Sequence, residues 1–128
     1  MFVVDTCVWI EYFADRPVRE VELLTEAIRR GSLAVCGPIL QEVLQGMRSE
    51  ADYQREWRRL MKFRMLETTR WTFLRAAALY RHLRRKGSTV NSFDTTIAAV
   101  CLENYLPLLT CNKRDFAPMA KYAGLKLA

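Results

Sequence analysis

The feature that most constrains this chain is an apolar segment, residues 2–4, that runs directly into Asp5. Such a segment predicts a strand buried on both faces, as in a parallel sheet. A helical pattern begins at once with Thr6, so Asp5 is expected at the carboxyl end of the strand, where open α/β sheets place their ligands. A carboxylate there costs much free energy unless it is paired or metal-bound. We therefore expect Asp5 to anchor a cluster of acids that holds a divalent metal.

The rest of the chain alternates short apolar segments with helical ones and has no hairpin signal. Further strands are predicted at 33–36, 65–68 and 107–110, with residues 125–127 as a candidate edge strand. Helices are predicted at 6–13, 18–30, 38–45, 49–63, 70–86 and 92–102, the last capped by Ser92, and in a short segment from 115 onward. Alternating strands and helices indicate one α/β domain over residues 1–128, with a parallel sheet of four or five strands flanked by helices.

Four of the fourteen acids stand apart from the polar helix faces that carry most of the others. Asp5 ends the first strand, Asp115 follows the fourth, and Glu42 and Asp94 lie in the first turns of helices. All four are expected at the carboxyl edge of the sheet. Taken singly, Asp115 is better explained as a helix cap, and Asp94 as a first-turn acid favoured by the helix dipole. Together, four carboxylates repel one another unless a hard cation such as Mg²⁺ or Mn²⁺ is bound.

Basic charge is concentrated between residues 48 and 86, where twelve Lys or Arg face four acids. The remainder of the chain has eight basic residues against ten acids. This asymmetry favours a polyanionic partner, although a solvated helix surface explains it equally well. Arg84, Arg85 and Lys86 are the candidates for phosphate contacts. Acids that hold a metal beside such a surface indicate phosphodiester hydrolysis.

Other kinds of chemistry find little support in the sequence. His82, the only histidine, lies mid-helix between arginines, and there is no glycine-rich phosphate loop or nucleophilic triad. The four cysteines are widely spaced and are expected to be small buried thiols in a reducing cytosol. They are Cys7, Cys36, Cys101 and Cys111. No apolar run approaches the ~20 residues of a membrane span, and no signal peptide is apparent, so a cytoplasmic protein without a membrane partner is expected.

Four segments carry a resemblance to a known family: FVVDTCVWIEYF, PILQEVLQG, NSFDTTIAAVCLENYLPLLT and CNKRDF. In order and spacing they resemble a PIN-domain ribonuclease, specifically the toxin of a VapBC-type toxin–antitoxin pair. The resemblance implies an α/β/α sandwich and endonucleolytic cleavage of RNA that depends on Mg²⁺ or Mn²⁺. It also implies a cognate antitoxin that covers the active site, and a toxin homodimer. The family's acidic site residues correspond to Asp5, Glu42, Asp94 and Asp115.

The chain departs from the family pattern at two positions. Cys7 stands where many relatives have serine, and Asn112 where some have a further aspartate, so either Asp115 or Asn112 fills the fourth acidic position. Thr6, Thr110 and Asn112 are expected to orient carboxylates or bound waters.

Two other functions fit parts of the pattern. A non-catalytic RNA- or partner-binding module on the same fold would bind RNA in EDTA without turnover. A phosphoacceptor signalling domain would also place an aspartate at a strand end, but the chain has no clear lysine near the fourth strand.

Overall fold

The fold, described for all of residues 1–128 by a computed structural model, is built on a four-stranded sheet. Its strands are β1 (Phe2–Val4), β2 (Leu33–Cys36), β3 (Arg64–Leu66) and β4 (Leu108–Leu109), in the order β3-β2-β1-β4. Every neighbouring pair is parallel, and Val3 at the centre pairs with Ala34 on one side and Leu108 on the other. The predicted parallel sheet is therefore confirmed. The predicted edge strand at 125–127 is wrong as a strand, since only Leu127 forms an isolated bridge to the two-residue β4.

Seven helices flank this sheet, as the alternating pattern predicts. They are α1 (Thr6–Phe13), α2 (Arg19–Arg30), α3 (Gly37–Gln45), α4 (Glu50–Leu60), α5 (Arg70–Arg85), α6 (Ser92–Glu103) and α7 (Lys113–Ala123). Asn91, and not Ser92, caps α6, because the Asn91 side chain accepts a hydrogen bond from the backbone N–H of Asp94. None of the seven helices has the length and apolarity needed to cross a bilayer.

The core lies on both faces of the sheet, as expected of parallel strands covered by helices. All residues of β2 and β4 are buried, together with Val3 and Val4 of β1. Trp9 of α1 is the largest fully buried side chain. The segment before Asp5 is thus held rigidly from both sides, which fixes the position of the carboxylate that follows it.

Helix α4 turns a different face to the core than its apolar residues predict. The helical spacing of Tyr53, Trp57, Leu60 and Met61 predicts a buried apolar stripe. Tyr53 and Met61 are nevertheless exposed, whereas the acid Glu56 is only 2% exposed. Arg55 and Arg59 lie 3.0 Å and 3.6 Å from the Glu56 carboxylate. These ion pairs permit the acid to be buried next to Leu60, since a lone charge there would be strongly disfavoured.

Candidate active site at the carboxyl edge of the sheet

Asp5 is the most constrained of the predicted site residues. It is the N-cap of α1 and is 5% exposed. One carboxylate oxygen accepts a hydrogen bond from the N–H of Thr6 at 2.9 Å, and the other accepts one from the hydroxyl of Thr110 at 2.8 Å. The Cys7 thiol donates to the second oxygen at 3.3 Å. Three donors from two segments thus fix the orientation of this buried carboxylate.

Glu42 approaches Asp5 from α3 and is connected to it through Thr6. The Thr6 hydroxyl donates to Oε1 of Glu42 at 3.1 Å, while its N–H serves Asp5. Partial burial, and to a smaller degree the charge of Asp5, raises the pKa of the Glu42 carboxyl. The Thr6 and Thr110 hydroxyls each donate to one of the predicted acids, and their role in orienting metal ligands stays a prediction.

Asp94 lies in the first turn of α6 and is held by Asn91. The Asn91 amide donates to Oδ2 of Asp94 at 2.8 Å, and the Asp94 N–H donates back to Oδ1 of Asn91 at 2.9 Å. Burial raises the pKa of Asp94 to about 6, and the charges of Asp5, Asp115 and Glu42 add to the effect. Asp94 is therefore within electrostatic reach of the other three predicted acids, although all four are distant in sequence.

Asp115 stands at the rim of this group. It lies exposed in the first turn of α7 and donates its N–H to the carbonyl of Asn112 at 3.0 Å. Asn112 is also exposed, and its backbone N–H donates to the Thr110 hydroxyl at 2.9 Å. Its side chain does not cap α7. Asn112 thus contacts the site through its backbone, and its predicted side-chain role stays a prediction.

The donor set fits a hard divalent cation by its chemistry. All four side chains offer carboxylate oxygens, the ligands that Mg²⁺ and Mn²⁺ prefer. The pKa values of Glu42 and Asp94 are raised by burial and neighbouring acids, and only the hydrogen bonds from Thr6 and Asn91 act in the opposite direction. No three His, Cys, Asp or Glu side chains converge closely enough, as they stand, to hold one ion. The predicted ligand set therefore stays a prediction.

The basic residues predicted to contact phosphates are not drawn into this acid group. Arg84 and Arg85 end α5, exposed and without an ion-pair partner. The Lys86 ammonium lies 5.7 Å from the ring centroid of Tyr122 in α7. Their role in binding stays a prediction.

Sequence reasoning missed two cysteines at the site. Cys36 and Cys101 are buried as predicted, but Cys7 is half-buried and Cys111 is exposed. The Cys7 sulfur lies 3.4 Å from the Thr110 hydroxyl and accepts a hydrogen bond from the backbone N–H of Cys111 at 3.1 Å. Burial, followed by the charge of Asp5, raises the pKa of Cys7 to about 12. No local signal reveals these contacts, because they join segments over a hundred residues apart.

Beside Glu42, a groove of about 690 Å³ runs between α1, α3 and α4. Its walls are partly apolar and partly charged, and Glu42 belongs to both the groove and the acid group. The lining residues are Ile10, Phe13, Ala14, Glu42, Val43, Gly46, Met47, Arg48, Asp52, Arg55 and Glu56.

Comparison with known proteins connects this geometry to one family. The sequence model of the PIN domain matches residues 2–122. Among curated relatives, VapC ribonuclease Mb1587 of Mycobacterium bovis and ribonuclease VapC11 of Mycobacterium tuberculosis are each 31% identical over 133 residues, covering 100% of this chain and 98% of the relative.

Solved structures share the fold. VapBC2 from Rickettsia felis, bound to a DNA fragment from its promoter, has a TM-score of 0.80 at 17% identity, covering 99% of this chain and 96% of that one. A toxin–antitoxin complex from Klebsiella pneumoniae has a TM-score of 0.75 at 23% identity, covering 98% and 95%.

Replacing Asp94 by Asn is expected to stabilise the metal-free protein at neutral pH. Because the pKa of Asp94 is raised from 3.8 to about 6, its carboxyl group binds a proton more tightly in the folded protein than in the unfolded chain. The free energy of unfolding therefore falls as the pH rises through that window. In urea denaturation with EDTA, Asp94→Asn should have a higher free energy of unfolding than the wild type above about pH 6, and the difference should vanish below about pH 4.

The matched control is Asp52→Asn, since Asp52 holds the equivalent first-turn position in α4 behind the N-cap Ser49. Asp52 is paired with Arg55, so its replacement should give no gain. Equal behaviour of the two variants would contradict electrostatic crowding at Asp94.

Proposed function

This chain belongs to the PIN-domain family, and from that premise we propose that it is a metal-dependent endoribonuclease, the toxin of a VapBC-type pair. The observation that carries the proposal is the crowding of acids around Asp94: the charges of Asp5, Asp115 and Glu42 add to burial in raising its pKa, and the pKa of Glu42 is raised as well. Curated relatives that match the whole chain are named as VapC ribonucleases, which supports RNA as the substrate.

Each acid has its own means of orientation in this mechanism. Asp5 is held by Thr110 and the start of α1, and serves as the most rigid ligand. Hydrogen bonds from Thr6 and Asn91 orient the carboxylates of Glu42 and Asp94. Asp115 is exposed, so its side chain is free to adjust to the substrate. Bound Mg²⁺ or Mn²⁺ supplies water activation and neutralises charge on the scissile phosphate. The side chains must be ionised to ligate, so binding weakens as pH falls through the pKa of Asp94 near 6.

Asp5→Asn should lower RNA cleavage by on the order of 100-fold or more, because an amide removes a ligand charge while keeping the side-chain shape. Cleavage of a structured RNA is measured with Mg²⁺ or Mn²⁺, beside a check of fold by circular dichroism. Asp15→Asn is the matched control, since Asp15 is an exposed turn residue with a φ of 53°, a conformation that asparagine tolerates.

Equal cleavage by the wild type and Asp5→Asn would identify a contaminating nuclease. RNA binding that survives EDTA without any turnover would instead favour the non-catalytic RNA- or partner-binding module.

We propose that the phosphates of the RNA strand beyond the acid site contact the basic residues at the end of α5. Replacing Arg84, Arg85 and Lys86 with Gln should weaken RNA binding and reduce the slope of log K against log salt by up to about 2, since each phosphate contact to a single strand contributes about 0.7. A triple change of Arg19, Arg29 and Arg30 to Gln alters net charge equally but removes residues paired with Glu20 or Glu26. An unchanged slope in the first variant would make those residues ordinary solvated charges.

Two further surfaces suit the two protein partners. The groove beside Glu42 exposes Ile10, which is 56% accessible, and a segment of antitoxin lying there would cover the acids. The structural neighbours include toxin–antitoxin complexes, which supports such a partner. Helix α5 exposes Trp71 and Leu74, 69% and 59% accessible. An apolar helix face of this kind suits a twofold homodimer contact.

Introducing one negative charge on each surface should show which partner binds there. Ile10→Glu should weaken binding of the co-expressed neighbouring gene product and leave the homodimer intact. Leu74→Glu should weaken the homodimer and leave binding of that gene product intact. Sedimentation of the protein alone and with that partner measures both outcomes, and each variant is the control for the other. Loss of both interactions in either variant would point to unfolding, and loss of neither would reassign the surface.

A further inference from the structure

Two thiols meet beside the acid site although 104 residues separate them in sequence. Cys7 lies in the first turn of α1, and Cys111 is the second residue after β4. The Cys111 N–H donates to the Cys7 sulfur at 3.1 Å, so the Cys7 thiol lies against the backbone that carries the Cys111 side chain. Their meeting follows from the sheet order, because Val4 of β1 is in register with Leu109 of β4 and the chains leave the sheet side by side.

Access differs sharply among the four cysteines. Cys111 is exposed and Cys7 is half-buried beneath it, while Cys36 and Cys101 are buried in the core. A small oxidant can therefore reach Cys111 first, and Cys7 is the thiol nearest to it. Cys111 lies outside any helix or strand, so its side chain can turn toward Cys7 without disturbing a regular element. Disulfides in cytosolic proteins are mostly transient and regulatory rather than structural.

We propose that Cys7 and Cys111 form a reversible disulfide that couples the redox state of the protein to the Asp5 site. The oxidant is a small-molecule disulfide. The Cys111 thiolate attacks it, forms a mixed disulfide and releases one small thiol; Cys7 sulfur then attacks the Cys111 sulfur and releases the second. Two protein thiols are oxidised, one small disulfide is reduced to two thiols, and the two protein protons end on those thiols.

The disulfide would act on Asp5 through a hydrogen bond that it removes. In the reduced protein the Cys7 thiol donates to Oδ2 of Asp5 at 3.3 Å and contacts the Thr110 hydroxyl at 3.4 Å. An oxidised Cys7 has no S–H to donate, and its sulfur moves toward Cys111. Loss of a group that orients a metal ligand lowers metal affinity or activity by about 10- to 100-fold. The effect on RNA cleavage rests on the proposed function, whereas disulfide formation does not.

The test exposes the full native protein to mixtures of oxidised and reduced glutathione, followed by alkylation and peptide mass mapping. The wild type should lose two alkylatable thiols and yield a peptide that links Cys7 to Cys111. The exchange should take minutes to hours, the usual time for an uncatalysed disulfide rearrangement. Mn²⁺ binding and RNA cleavage should both fall by about 10- to 100-fold in the oxidised form and recover with dithiothreitol.

Cys111→Ser is the matched variant, since it removes the exposed thiol and leaves Cys7 beside Asp5. It should cleave RNA like the reduced wild type and be insensitive to glutathione disulfide. A glutathione adduct on Cys111 alone, or no linked peptide in the native protein, would overturn the disulfide. A linked peptide with unchanged Mn²⁺ binding would overturn the coupling to Asp5. If reduced wild type cleaves no RNA, the proposed nuclease function fails, while the peptide map and Mn²⁺ binding still decide this inference.

Discussion

The burial of one carboxylate organises this structure. Asp5 follows a strand held on both sides by β2 and β4, so its position is set by the core and not by its own solvation. An acid that is 5% exposed is tolerated because the N–H of Thr6, the hydroxyl of Thr110 and the thiol of Cys7 donate to its two oxygens. The Thr6 N–H is local, but the Thr110 hydroxyl reaches Asp5 only because β4 lies beside β1 in the sheet. Pairing of these two strands therefore also completes the hydrogen bonding of the buried acid.

The acid group is electrostatically unfavourable in a way that suits a metal site. The folded protein holds Asp94 near Asp5, Glu42 and Asp115, and its pKa rises to about 6 as a result of burial and their charges. No arginine or lysine pairs with these acids, although the chain buries Glu56 with Arg55 and Arg59 elsewhere. The same sequence thus neutralises one buried acid with arginines and leaves another group of acids uncompensated. Carboxylates without compensating basic side chains are the arrangement that suits a hard cation.

The surfaces around the acids differ in chemical character, and each suits a different one of the expected partners. The groove beside Glu42 has partly apolar walls that suit a protein segment. At the end of α5 are arginines that have no ion-pair partner in the protein and that suit phosphate groups. On α5, Trp71 and Leu74 form an apolar face. Cys7 and Cys111 lie beyond the carboxyl ends of β1 and β4, where Asp5 receives its hydrogen bonds. The proposed disulfide would therefore act directly on the acid site.

Local pattern alone determined the order of strands and helices, the α/β fold class with its parallel sheet, and the position of Asp5 at the end of a strand. These features follow from the apolar segment before Asp5 and from helical periodicity, which act over a few residues. Tertiary structure decided which face of α4 is buried: Glu56 is inside because Arg55 and Arg59 neutralise it, while Met61 is 54% exposed. It also decided that Cys7 touches Thr110 and lies beside Cys111. Those contacts depend on β1 and β4 being neighbours in the sheet, and a pairing across a hundred residues leaves no periodic trace in the sequence.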